Sequence, residues 1–149
     1  MSEVMLEFVM DSIDLDYTDY ILFPDAGAQK RYKGLLKKCD LIPLVAEKVR
    51  DFKTGEIIGL EILGAKDLDE ARVLILDDLC SAGGSFYYSA MALKEINAGS
   101  VYLAITHCEN TIHKGKLLSG NEIERIFTTN SILTQGHKKI EILNVIEGE

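Results

Sequence analysis

Short apolar runs recur along the chain: Tyr20 to Phe23, Ile42 to Val45, Val73 to Leu76, Val101 to Ile105, Ile126 to Thr128 and Ile140 to Val145. Each is continuous rather than alternating, the pattern of strands buried on both faces of a parallel sheet. Helical stripes lie between them. Tyr32, Leu35, Leu36 and Cys39 fall at i, i+3, i+4 and i+7, and Phe86, Ala90 and Leu93 at i, i+4 and i+7. The alternation predicts an α/β fold with a doubly wound, mainly parallel sheet of about five strands, flanking helices and right-handed crossovers. One stretch breaks the rhythm. Asp51 to Asp69 reads DFKTGEIIGLEILGAKDLD, with no helical period and Thr54-Gly55 as a hairpin turn, which predicts a short hairpin or flap over about residues 50–69. No Gly/Ser-rich linker or repeat interrupts the chain, so residues 1–149 read as one domain.

A chain of 149 residues with 47% hydrophobic content has enough apolar surface for a core, which excludes a disordered polymer. Sixteen Lys and Arg against 24 Asp and Glu give a net charge of −8. That leaves no broad basic surface for a nucleic-acid backbone, and no nucleic-acid partner is expected. A phosphorylated ligand is still within reach if backbone amides, a few placed cations or a divalent metal bridging carboxylate and phosphate hold it. Cys39, Cys80 and Cys108 form no Cys-x-x-Cys pair and are odd in number, so spacing gives neither a disulfide framework nor a zinc site. Glu3, Glu7 and Asp11 stand where a secretory signal would be basic and apolar. No run approaches the roughly 20 apolar residues of a membrane span. The expectation is a soluble cytoplasmic protein without a membrane partner.

The chemistry concentrates between Ala71 and Leu93, ARVLILDDLCSAGGSFYYSAMAL. A buried strand delivers Asp77 and Asp78 to its carboxyl end. The small residues Ser81, Ala82, Gly83, Gly84 and Ser85 follow, and a helix starts at once. In open α/β sheets ligands bind there. Small residues let a phosphate approach the backbone, where free amides and the helix dipole meet its charge. Two adjacent carboxylates would repel that phosphate unless they hold ribose hydroxyls or a magnesium ion. The plain alternative is that the acids cap a turn and the glycines allow close packing.

VLILDDLCSAGGSF resembles the phosphoribosyl pyrophosphate (PRPP) signature shared by type I phosphoribosyltransferases and ribose-phosphate diphosphokinases, and the diphosphokinases are the closer match. FPDAGAQKRY, Phe23 to Tyr32, is similar to their pyrophosphate loop. AITH at Ala104 to His107 and TTNSI at Thr128 to Ile132 resemble segments at matching intervals in their carboxyl-terminal half. The resemblance implies a type I phosphoribosyltransferase-like fold. It implies Mg²⁺-dependent transfer of diphosphate from ATP to O1 of ribose 5-phosphate, or alternatively a stand-alone phosphoribosyltransferase joining a nucleobase to PRPP with release of pyrophosphate, or a non-catalytic PRPP-binding subunit. Residue by residue, Asp77, Asp78, Ser81, Ala82, Gly83, Gly84 and Ser85 would hold the ribose phosphate. The turn of Asp25, Ala26, Gly27 and Ala28 would face the diphosphate, with Lys30 and Arg31 nearby, and Asp25, Asp77 and Asp78 are candidate metal ligands. Lys48-Val49-Arg50 stands where the family carries a catalytic Lys-x-Arg pair at the base of a flexible loop. A homo-oligomer is implied too.

The sequence departs from the family at three places. Ser81 replaces a frequent third acid, Ala28 replaces the second glycine of the pyrophosphate loop, and the chain matches only the second of two α/β halves, so a separate amino-terminal half is an expected partner. His107, His113 and His137 read as structural or loop residues. Tyr87 and Tyr88 suit base stacking or core packing equally. Cys80 lies near a helix start, which lowers a thiol pKa, but it has no neighbouring base.

Overall fold

The computed structural model describes residues 3–80 and 83–144. Its strands are β1 (Tyr20–Phe23), β2 (Ile42–Arg50), β3 (Ile57–Leu63), β4 (Val73–Cys80), β5 (Val101–Cys108), β6 (Arg125–Thr129) and β7 (Ile140–Leu143), and its α-helices are α1 (Glu3–Ile13), α2 (Ala26–Arg31), α3 (Lys33–Leu36) and α4 (Gly84–Glu95). All seven strands form one sheet in the order β3-β2-β1-β4-β5-β6-β7. Neighbours pair in parallel except β2 and β3, which form an antiparallel hairpin. The doubly wound expectation holds. The strand count is higher than about five: all six apolar runs form strands, the last of them β7 at one edge, and β3, read only as part of an excursion, joins the sheet at the other.

Alternate strand residues feed two cores. Leu22, Val73, Ile75, Leu103, Ile105 and Ile126 pack with Phe86, Ala90 and Leu93 of α4. Ile21, Phe23, Leu74, Leu76, Ala104 and Phe127 pack with Met5, Leu6 and Val9 of α1 and with Ala28 and Tyr32. Helix α1 is not anticipated above, because its stripe of Met5, Leu6, Val9 and Ile13 is interrupted by acids that face outward. The stripe predicted from Tyr32 to Cys39 spans a break: Tyr32 (φ −101°, ψ 15°) ends α2 and starts α3.

An ion pair with a buried carboxylate and a partly exposed arginine fixes the amino-terminal edge of the sheet. Asp19, 3% exposed, accepts from the Arg72 backbone N at 3.0 Å and from its Nη2 at 2.8 Å, while Arg72 donates onward to Ile13 O and Asp14 O at 2.8 and 2.9 Å. One arginine thus ties the end of α1 to the starts of β1 and β4. Its hydrogen bond to Asp19 raises the guanidinium pKa above the ordinary value.

The hairpin runs from Val45 opposite Leu63 to Arg50 opposite Ile57. It therefore starts earlier and ends earlier than the predicted 50–69. Its turn is closed by Asp51, whose Oδ1 accepts the Lys53 and Thr54 amides at 2.8 and 3.0 Å, and Gly55 takes a left-handed φ of 74° that most residues avoid. Thr54-Gly55 forms part of that turn, as expected. After β3 the chain is drawn back to the core by Leu68, 2% exposed.

Candidate active site

The connection from β1 to β2 moves one way along the sheet, and the connections from β4 through β5 and β6 to β7 move the other way. The direction reverses between β1 and β4, where diverging loops leave a crevice at the carboxyl ends of the strands. Asp25 follows β1, and Asp77 and Asp78 lie near the end of β4. Topology alone brings together the acidic pair and the predicted pyrophosphate loop, 52 residues of sequence apart at Asp25 and Asp77 (77 − 25).

Arg31 occupies that crevice. Its Nη2 lies 3.1 Å from Asp77 Oδ1 and its Nε 3.5 Å from Asp78 Oδ2, and the Asp78 amide donates to Asp77 Oδ1 at 2.9 Å. A Cβ built on Gly27 would lie 3.7 Å from Arg31 Nη1, so the guanidinium reaches from the start of α2 to the tip of β4. The sequence reading treats Lys30 and Arg31 alike; the helix geometry selects Arg31 as the counter-ion of the acidic pair. The signal that separates them is position on α2, which cannot be read before the limits of the helix are known.

The predicted pyrophosphate loop is partly helical. Asp25 is the N-cap of α2, and its Oδ1 accepts the Ala28 amide at 2.7 Å. Ala28 is fully buried, and its amide serves the cap, leaving the exposed Ala26 and Gly27 as the surface of the turn. Ser81 and Ala82 lie outside the described residues. Gly83 has φ 89°, and a Cβ there would stand 2.4 Å from Leu117 Cδ1. Glycine is required by the fold at that point. Gly84, the first residue of α4, and Ser85 are exposed, and a Cβ on Gly84 meets no described atom within 4 Å.

Lys48 and Arg50 lie on strand β2 within the hairpin, not on an irregular loop base. Val45 is level with Phe23, and Ile75 with Leu22. Lys48 therefore stands at the height of Leu79, two strand spacings or about 10 Å across the sheet. It shares the face of Leu44 and Ala46, which pack in the α4-side core. Arg50 Nη1 donates to Gly55 O at 3.1 Å and so closes the hairpin turn in this conformation.

The two remaining family-like segments meet through the β5–β6 pairing. His107 Nδ1 is 2.7 Å from Ser131 Oγ, and Thr129 Oγ1 donates to Thr106 O at 2.6 Å. His107 thus has a hydrogen-bonding partner on the next loop, in keeping with a structural role. Tyr87 packs against the α4-side core with Lys116 Nζ 5.2 Å from its ring centroid, while Tyr88 is 56% exposed. Cys80 is buried beside Cys108, its register partner. Its thiol pKa is pushed far up by hydrogen bonding to Cys108 and by burial. Burial and the neighbouring Cys108 act against a Cys80 thiolate and outweigh its proximity to a helix start, in keeping with a packing role.

Magnesium fits this donor set only in one manner. Among the described residues no group of three or more His, Cys, Asp and Glu side chains forms a metal cage. The side chains of Asp77 and Asp78 are 20% and 44% exposed, so two carboxylates face solvent in the crevice. Magnesium commonly takes one or two carboxylates and completes its shell with water and substrate phosphate oxygens. The pair suits an ion shared with a bound phosphate.

No family model matches the chain. A ribose-phosphate pyrophosphokinase of Hyphomonas neptunium is 35% identical over 106 residues, covering 71% of this chain and 31% of the relative. A phosphoribosylpyrophosphate synthetase from Mycobacterium smegmatis has the same fold, with a TM-score of 0.70 at 16% identity over 96% of this chain and 46% of that one. The chain belongs to the ribose-phosphate pyrophosphokinase family, as a domain of the carboxyl-terminal type. It spans less than half the length of the pyrophosphokinases it matches. The fold is also that of type I phosphoribosyltransferases: a purine phosphoribosyltransferase from Pyrococcus horikoshii superposes with a TM-score of 0.56 at 15% identity, over 99% of this chain and 93% of that one. No helix among the described residues is long and apolar enough to cross a membrane.

Proposed function

We propose that this domain binds a ribosyl 5-phosphate at the switch point between β1 and β4 and takes part in Mg²⁺-dependent transfer of diphosphate from ATP to O1 of ribose 5-phosphate. The observation that carries the reading is the acidic pair Asp77 and Asp78 in the carboxyl-terminal half of β4, ahead of the left-handed Gly83 that leads into α4, with Arg31 as its counter-ion. The carboxylates suit the ribose hydroxyls, and the open start of α4 at Gly84 and Ser85 suits the 5-phosphate. Ser81 and Ala82 are further proposed ligands of that phosphate. Arg31 leaves the acids when the sugar arrives and is then free to face the diphosphate at Ala26 and Gly27.

Asp77 and Asp78 would hold a magnesium ion, which would supply charge neutralisation on the diphosphate; Asp25, whose Oδ1 caps α2, forms no three-residue metal group with them among the described residues. In the reaction O1 of the ribose attacks the β-phosphorus in line, the O1–Pβ bond forms, the bond from Pβ to the α-phosphate oxygen breaks, and AMP leaves; the O1 proton passes to solvent. Lys48 and Arg50 reach the crevice as the hairpin folds over and meet the charge on the transferred group. Arg50 gives up its Gly55 contact in doing so. Turnover also uses an amino-terminal half, on the same polypeptide or a separate one, of the kind for which the longer relatives have room. The reading places the domain in the cytoplasm as part of a homo-oligomer.

The test is incubation with ATP, Mg²⁺ and ribose 5-phosphate, alone and with an amino-terminal half from a relative, followed by assay for AMP and PRPP. Failure to form AMP in both mixtures overturns synthesis. Lys48→Ala with Arg50→Ala is expected to lower turnover by about 10² to 10³ while leaving ribose 5-phosphate binding intact; wild-type turnover in that variant removes the hairpin from the mechanism. A second reading rests on the fold shared with type I phosphoribosyltransferases such as the Pyrococcus horikoshii purine phosphoribosyltransferase. In that case PRPP and a nucleobase release pyrophosphate, and no ATP is consumed. PRPP bound without either turnover would instead identify a binding subunit.

A further inference from the structure

Arg31 holds two carboxylates with one guanidinium. Its Nη2 meets Asp77 Oδ1 at 3.1 Å and its Nε lies 3.5 Å from Asp78 Oδ2, so the fork is divided between neighbouring acids instead of gripping either one with both arms. Two carboxylates and one guanidinium leave one net negative charge in the crevice. The remaining nitrogen, Nη1, borders the turn after β1, where a Cβ on Gly27 would stand 3.7 Å from it. The cation also rests on an aromatic platform, with Arg31 Cζ 5.7 Å from the ring centroid of the buried Tyr32. Water reaches the contact, since the side chains of Arg31 and Asp78 are about half exposed, and such ion pairs change partners readily.

We propose that Arg31 is an exchangeable counter-ion that sets the order of binding: it competes with a free divalent cation for Asp77 and Asp78, and yields them readily only once a diphosphate is there to take the guanidinium. This rests on the reading above, in which the turn of Ala26 and Gly27 faces the diphosphate. A carboxylate oxygen in the inner shell of a metal ion cannot also accept the guanidinium, and a guanidinium within reach of the ion repels it. A metal ion arriving alone therefore strips Arg31 of its anionic partners. With a diphosphate at the turn, the guanidinium exchanges carboxylates on its Nη2 side for phosphate oxygens near its Nη1 side, and those oxygens suit the planar fork. Each ligand then raises the affinity of the other by the same factor, whichever binds first. Lys30, exposed and one residue earlier on α2, makes no ion pair with the acids among the described residues and stands outside the exchange.

Two titrations of the full chain test the exchange: Mn²⁺ alone, followed by its electron paramagnetic resonance signal, and pyrophosphate in excess Mg²⁺, followed by calorimetry. Arg31→Gln is expected to bind Mn²⁺ alone about five-fold more tightly than the wild type and magnesium pyrophosphate about five-fold more weakly. Misfolding does not give opposite signs. Arg31→Lys, which keeps the charge and loses the fork, should fall between the two. Lys30→Gln removes the same charge from the same helix and should leave Mn²⁺ affinity within about two-fold of the wild type. Asp77→Asn with Asp78→Asn should abolish Mn²⁺ binding. Unchanged Mn²⁺ affinity in Arg31→Gln overturns the proposal, as does an equal gain in Lys30→Gln, Mn²⁺ binding that survives loss of both acids, or no Mn²⁺ binding in any variant. Ribose 5-phosphate titrated without metal reports on the sugar reading by itself: if its binding needs Asp77 and Asp78 while Arg31→Gln leaves Mn²⁺ affinity unchanged, the crevice stands and the exchange falls.

Discussion

Two neighbouring glycines separate the demands of the fold from those of a ligand. At Gly83 a methyl group would lie 2.4 Å from Leu117 Cδ1 and 2.8 Å from its Cγ, and Leu117 is itself 1% exposed with little room to retreat. The left-handed conformation adds about 1–2 kcal/mol for alanine and the overpacking about 1–3 kcal/mol. Gly83→Ala should therefore destabilise the protein by about 3 kcal/mol, a fall of about 6–12 °C in Tm for a domain of this size. At Gly84 a methyl group touches no described atom within 4 Å, and the residue is already helical. Gly84→Ala should leave stability unchanged or raise it by up to about 1 kcal/mol. If the open space at Gly84 receives the 5-phosphate, the same methyl group should weaken ribose 5-phosphate binding by at least about ten-fold, or 1.4 kcal/mol. Urea unfolding and calorimetric titration of both variants read the two effects apart. Wild-type affinity in Gly84→Ala would refute the phosphate assignment, and a wild-type urea midpoint in Gly83→Ala would refute the packing argument.

Asp19→Asn removes the charge that Arg72 meets at the amino-terminal edge, and a loss of about 1–2 kcal/mol is expected from weakening charged hydrogen bonds to a partly exposed arginine; an unchanged urea midpoint would show that the pair is dispensable. At the hairpin turn the Thr54 and Lys53 amides hold the Asp51 carboxyl below its usual 3.8. A depressed folded-state value means the contribution is present above 3.8 and is lost as pH falls through the lower value. Amide exchange at Thr54 should therefore quicken only in acid; an Asp51 that titrates above 3.8 by NMR would contradict the turn geometry.

The continuous apolar runs specified the parallel strands and the two-sided burial, because a strand covered on both faces has no polar position to spare. Asp77, Asp78 and the glycines after them were legible for a local reason: a strand, a small-residue turn and a helix follow one another within a few residues. The edge strand β3 and the outer half of β2 were not legible as sheet, since Glu47, Lys48, Arg50 and Glu61 sit where the hairpin leaves the core and burial no longer constrains composition. Helix α1 was hidden by acids on its outer face. Only the tertiary structure chose Arg31 over Lys30 as partner of the acids and placed Cys80 beside Cys108. Each of these depends on which strands become neighbours, a long-range outcome of sheet order that local pattern does not carry.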